Sequence, residues 1–253
     1  MNIRRAVLSL SLKHSLTQSC AVLRVKLLPR RHPYSTLQSC DNIKIEVVHD
    51  KLEKWEKLLD LWLYHFANAP VTSNIGAFRT DDGKIMLKGL LKDSLAYDNS
   101  PCVVAWDTHR NKAAGFILNH TFHVNQALEK CGPPIPYSNY SWDKQWLQPI
   151  QDLEHFKHYL SMSSIFADYS YKKFMKIQIG CTGPDYTNQK VMSRLLEKGV
   201  EQLQACKGAY DAIVGESTNK QTYRIFQKFN FELLHEFDLV NRYPSFKTVV
   251  TLK

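Results

Sequence analysis

A chain of 253 residues, 44% hydrophobic and 23% charged, is long enough to bury one sizeable core and too ordinary in composition for a low-complexity or disulfide-stapled protein. Its net charge of +9 suggests an anionic polymer partner, yet residues 1–40 hold seven of the 33 Lys and Arg and none of the 24 Asp and Glu, leaving 26 basic against 24 acidic residues elsewhere. A basic surface for nucleic acid is therefore not expected on the globular part, and no run of about 18 apolar residues exists for membrane insertion.

The acid-free segment 1–40 contains Arg, Ser and apolar residues at helical spacing, which predicts a mitochondrial transit peptide. Lys13, His14 and Gln18 interrupt the apolar core that a secretory signal would need. A cut near Tyr34-Ser35 would leave a globular domain over residues 41–253. The alternative is a disordered basic tail on a cytoplasmic protein. Six cysteines without a Cys-x-x-Cys pair fit a reducing compartment. The pairs His120 with His123 and His155 with His158 lack the further ligands that a metal centre needs, so no metal is expected.

After the leader, Asn42 to Val48 alternates at period two and predicts a strand; Leu52 to His65 follows as a helix with an apolar face at Leu52, Trp55, Leu58, Leu59, Trp62 and Leu63. The Asp81-Asp82-Gly83 turn bounds a second helix over Lys84 to Asp98. Pro101 to Trp106 and Lys112 to Asn119 form a hairpin around a short polar loop. Gln126 to Asp143 reads as a loop, and Trp146 to Met162 as a helix. Tyr171 to Gly180 alternates as a strand, and Asn188 to Cys206 is a helix with Val191, Leu195, Leu196, Val200 and Leu203 inward. Ala209 to Glu216 is a buried strand leading into a helix capped within Ser217-Thr218-Asn219. Glu232 to Leu239 and Phe246 to Leu252 close the chain as strands.

This order predicts an α/β fold: one mixed, mostly antiparallel sheet with helices on both faces. Where a strand feeds directly into a helix, the unsatisfied amides of the first turn attract an anion. The stretch CTGPDYTNQKVMSRLLE, Cys181 to Glu197, is built as such a junction.

The strand FMKIQIG, the turn Pro184-Asp185-Tyr186, the helix ending Arg194 to Gly199, and the segment ESTNKQTYRIFQKFNF resemble the core of the GNAT acetyltransferase superfamily. The similarity is to its arylalkylamine (dopamine-type) N-acetyltransferase branch, and the hairpin AWDTHRNKAAGFILN extends it over roughly residues 43 to 253. The resemblance implies acetyl-CoA as co-substrate and a small primary amine as acceptor, joined by direct attack on the thioester. It places pantetheine along Ile179, Gly180, Cys181 and Thr182, the pyrophosphate at Thr187, Asn188, Gln189, Lys190, Val191 and Met192, and a further cofactor contact at Asn219.

Three departures accompany it. The family's loop has small residues where this chain has Lys190 and Met192. Glycine there admits close approach of backbone amides to phosphates. Lys190 either pairs with a phosphate or Met192 obstructs the site; an ordinary helix start is the third reading. Ala69, in FANAP, stands where the family's general-base carboxylate precedes a proline; Asp81, Glu154 or His155 would have to replace it. Phe226 stands where a tyrosine protonates the leaving thiolate, leaving Tyr223, Thr218 and Thr222 as candidate catalysts or as plain helix-surface and capping residues. The alternative to an enzyme is an inactive GNAT-fold module that binds CoA or a partner.

Overall fold

The computed structural model describes residues 19–26, 42–69, 72–73, 75–97, 99–123, 142–160, 173–205 and 209–238. Among the described residues, seven strands form one sheet: β1 (Ser19–Lys26), β2 (Ile43–Val48), β3 (Cys102–Asp107), β4 (Lys112–His123), β5 (Lys173–Thr182), β6 (Ala212–Ser217) and β7 (Glu232–Asp238). Their spatial order is β2-β3-β4-β5-β6-β1-β7. Every pair is antiparallel except β5 with β6. The helices are α1 (Trp55–Asn68), α2 (Asp81–Ala96), α3 (Lys144–Leu160), α4 (Val191–Ala205) and α5 (Lys220–Lys228).

Two cores lie on opposite faces of the sheet. One gathers Leu58, Trp62 and Phe66 of α1, Leu87 and Leu91 of α2 and Leu153 of α3. The other gathers Val191, Leu195, Leu196 and Val200 of α4 with Tyr223 and Phe226 of α5. The expected mixed sheet covered on both faces is thus the architecture found. A strand buried on both faces cannot show a clean alternation of exposure, and β5 indeed buries Phe174, Met175, Lys176 and Ile177 in succession.

Several sequence expectations shift in detail. Asp81-Asp82-Gly83 is the first turn of α2, because the Thr80 Oγ1 accepts from the Gly83 amide at 3.1 Å and caps the helix. A Cβ on Gly83 would stand 1.9 Å from the Ala77 carbonyl oxygen, so only glycine lets the preceding 3-10 turn pack there. Leu52 lies exposed in a 3-10 turn ahead of α1, and Leu61 and Phe66 join its buried face. Asn188 to Lys190 form a turn before α4. Ala209 to Asp211 precede β6. The stretches 126–141, 171–172, 239 and 246–252, the helix beyond 160, Cys206 and the Leu203 side chain fall outside the described residues.

Ser19–Lys26, inside the acid-free segment, forms β1 between β6 and β7, with Ala21 opposite Ser217 and Cys20 opposite Phe237. No helix among the described residues is long and apolar enough to cross a membrane.

Candidate functional site

β5 and β6 pair from Phe174 with Ala212 to Ile177 with Gly215, and the pairing then stops. The cause lies on the other side of β5. Against β4, Leu118 faces Ile179 and Asn119 faces Ile177, so Gln178 is the extra residue of a β-bulge. A bulge bends its strand and strengthens its twist. β5 accordingly follows β4 out to Thr182 opposite Gly115 and leaves β6 behind. From Gln178 onward its β6-facing peptide edge has no ladder partner among the described residues.

The split opens a cleft of about 260 Å³. Ile177 to Thr182 form one wall; Glu216, Thr218, Asn219, Thr222, Ile225 and Phe226 form the opposite one. The end of α1 closes it with Tyr64, His65, Phe66, Asn68 and Ala69, together with Thr72. Two hydroxyls in these walls, Thr72 Oγ1 and Thr182 Oγ1, are buried without a hydrogen-bond partner among the described residues. Buried polar atoms of this kind call for a polar guest or ordered water.

The cleft floor is held by a buried ion pair, Lys176 Nζ to Glu216 Oε1 at 2.6 Å. Phe226 packs beneath Gly215, where a Cβ would come within 2.5 Å of its ring. Burial pushes the Cys181 thiol up to about 12, and its Sγ donates to the Leu61 carbonyl at 3.4 Å. A thiol so protonated is no nucleophile.

Beyond β5, the 3-10 turn Pro184–Tyr186 is tied to the β3–β4 hairpin. Tyr186 Oη donates to Asp107 Oδ2 at 2.7 Å. Arg110 and Lys112 both reach Asp185 Oδ2, at 3.1 and 3.0 Å. These contacts hold the Asp107 and Asp185 carboxyls below the ordinary range, Tyr186 chiefly for the first and Lys112 chiefly for the second. They anchor the loop that starts α4.

In that loop Asn188 and Lys190 adopt positive φ, 63° and 58°. Lys190 thus takes the left-handed conformation natural to glycine. Its carbonyl accepts from the Arg194 amide at 3.0 Å, so the amides of Val191, Met192 and Ser193 are left without helical partners.

The sequence-predicted cofactor residues divide. Ile179, Gly180, Cys181, Thr182, Met192 and Asn219 line the cleft, whereas Thr187, Asn188, Gln189, Lys190 and Val191 lie beyond its wall in the loop and first turn. Met192 packs over Gly180: a Cβ there would sit 3.2 Å from its Cε. Asn219 also caps α5, its Oδ1 accepting from the Thr222 amide at 2.8 Å. Thr218 and Thr222 face the cleft, and Tyr223 is packed in the core beside Phe226. Asp81 is exposed at the start of α2 and pairs with Lys84; neither it nor Glu154 nor His155 of α3 lines the cleft. Sequence reasoning missed Tyr64, His65, Asn68, Thr72 and Glu216, whose only signal is their nearness to Ala69 and Thr218.

No known family model matches the chain, and no curated protein matches it in sequence. Its fold does match solved structures. The arylalkylamine N-acetyltransferase 2 of Aedes aegypti is similar at TM-score 0.56 and 17% identity, over 76% of this chain and 83% of that one. A mosquito arylalkylamine N-acetyltransferase-like 5b matches at 0.52 and 16%, over 75% and 83%. An agmatine N-acetyltransferase in its apo form matches at 0.52 and 14%, over 75% and 82%. The chain has the GNAT fold that these N-acetyltransferases share.

Proposed function

We propose that the chain is an acetyl-CoA-dependent N-acetyltransferase of a small primary amine, arylalkylamine-like, in which the amine attacks the thioester directly. The observation that carries this reading is the split between β5 and β6, which leaves a peptide edge without a ladder partner among the described residues along a largely apolar cleft. Pantetheine is an extended chain with two amides, and an unpaired strand edge is its natural complement. Ile179 to Thr182 receive it, with Thr182 Oγ1 as an additional buried polar contact. The first amides of α4 face the pyrophosphate, and Lys190 adds a charge. Backbone amides of β5 stabilise the oxyanion that develops on the thioester. Thr218 or Thr222 supplies a hydroxyl near the departing sulfur. The solved N-acetyltransferases of the same fold support the amine acceptor.

Thiol release from acetyl-CoA tests it. Release that depends on added primary amine is expected; cofactor binding with no release across arylalkylamines and diamines would instead identify a CoA-binding module. We also propose delivery to mitochondria, on the acid-free residues 1–40. A cut near Tyr34-Ser35 would excise β1, so the N-terminal residue of the protein recovered from mitochondria reports whether β1 belongs to the mature fold.

A further inference from the structure

We propose that His65 is the base that takes the proton from the acceptor amine; this rests on the N-acetyltransferase reading above. α1 ends at Ala69, which turns to extended backbone at ψ 144° while its amide donates to the His65 carbonyl at 2.7 Å. Residues four apart on a helix share a face, so His65 lies one turn behind Ala69, and both line the cleft. Where a carboxylate is expected there is a methyl group, and an imidazole stands beside it.

Among the described residues, the ionisable side chains of the cleft wall are Tyr64, His65, Cys181 and Glu216. Burial keeps the Cys181 thiol protonated. Glu216 is bound to Lys176 at 2.6 Å, and a proton on it would leave the buried ammonium without its counter-charge. Tyr64 brings a phenolic hydroxyl, a hydrogen-bond donor and acceptor rather than a base. Imidazole exchanges a proton near neutrality, which suits an amine that must lose one. At the same end of α1, Arg79 donates to the Ala67 carbonyl at 2.9 Å. Thr72 Oγ1, buried in the same wall and without a hydrogen-bond partner among the described residues, is offered to the ammonium as an acceptor.

The step balances. The ring nitrogen of His65 takes a proton from R–NH3+, and the freed lone pair forms the C–N bond at the thioester carbonyl. The C–S bond breaks, the sulfur takes the second N–H proton, and His65 releases the first to solvent. The products are the amide, CoA thiol and one proton.

The test uses the full chain with acetyl-CoA and 2-phenylethylamine. In wild type, kcat/KM should rise with pH through the imidazole range. H65Q should lose that limb and fall about 100-fold at pH 7.5, recover much of the deficit near pH 10, where free amine is abundant, and bind acetyl-CoA with wild-type affinity in calorimetry. The imidazole Cε1–H resonance that H65Q lacks should shift when 2-phenylethylamine is added to CoA-loaded protein. E216Q should keep the pH limb. An unchanged limb in H65Q, a stationary resonance, or transfer of the limb to E216Q would overturn the role of His65 alone. Failure of wild type to bind acetyl-CoA would overturn it together with the N-acetyltransferase reading.

Discussion

Lys190 occupies left-handed backbone, φ 58°, and sits two residues before Met192, whose Sδ lies 3.3 Å from the place a Cβ would take on Gly180. The two residues thus act differently. One accepts glycine's conformation at an energetic cost, and the other spreads its side chain over the strand that would meet the pantetheine.

Lys190→Gly should relieve that strain. A non-glycine residue in left-handed backbone costs about 1–2 kcal/mol, partly offset by glycine's greater unfolded entropy. A net gain of roughly 1 kcal/mol would raise the melting temperature by about 2–4 °C. Lys190→Ala should give no such gain, and differential scanning calorimetry separates the two.

The Tyr186–Asp107 hydrogen bond should be visible in pH dependence. Burial, reinforced by Asp107, raises the Tyr186 phenol to about 12, while an unfolded tyrosine titrates near pH ~10. The stability it contributes is complete below about pH 10 and is lost as pH rises toward 12. Asp107 works in the opposite sense: its carboxyl is lowered, so its contribution holds above the ordinary carboxylate range and is lost as pH falls below it. Tyr186→Phe should flatten the alkaline decline in a series of denaturant melts.

The Lys176–Glu216 pair should behave as a buried unit. Lys176→Met leaves a buried carboxylate and should cost about 3–5 kcal/mol, whereas Lys176→Met with Glu216→Gln should recover much of it. Urea unfolding of the two variants decides; equal losses would mean that the pair is not coupled.

Deleting residues 1–26 removes β1 from between β6 and β7 and exposes a strand edge on each. Unpaired edges invite association. The truncated chain should melt lower than the full chain and self-associate in gel filtration. Unchanged melting would make β1 dispensable, as a mature protein cut near Tyr34-Ser35 requires.

Much of the fold was legible because its signals are local. The spacing of Val191, Leu195, Leu196 and Val200 puts them on one face of α4, and all four are buried. The hairpin around Asp107 and the cap at Asn219 are short-range features of the same kind. β1 was not legible: SCAVLRVK is as apolar as a leader requires, and its partners Ser217 and Phe237 lie some two hundred residues away. In the site, the junction after Cys181 could be placed from the Gly-Pro turn and the resemblance. His65 could not, because its approach to the cleft depends on where α1 ends and on the bulge at Gln178, a register feature no single strand announces.

The central claim is that the split between β5 and β6 holds an acyl-CoA, and calorimetric titration of acetyl-CoA into the full chain tests it most directly, with Met192→Ala beside wild type. Micromolar binding that tightens when Met192 is shortened is the predicted result, since the side chain lies over Gly180. Absence of binding to either protein at millimolar acetyl-CoA would contradict it.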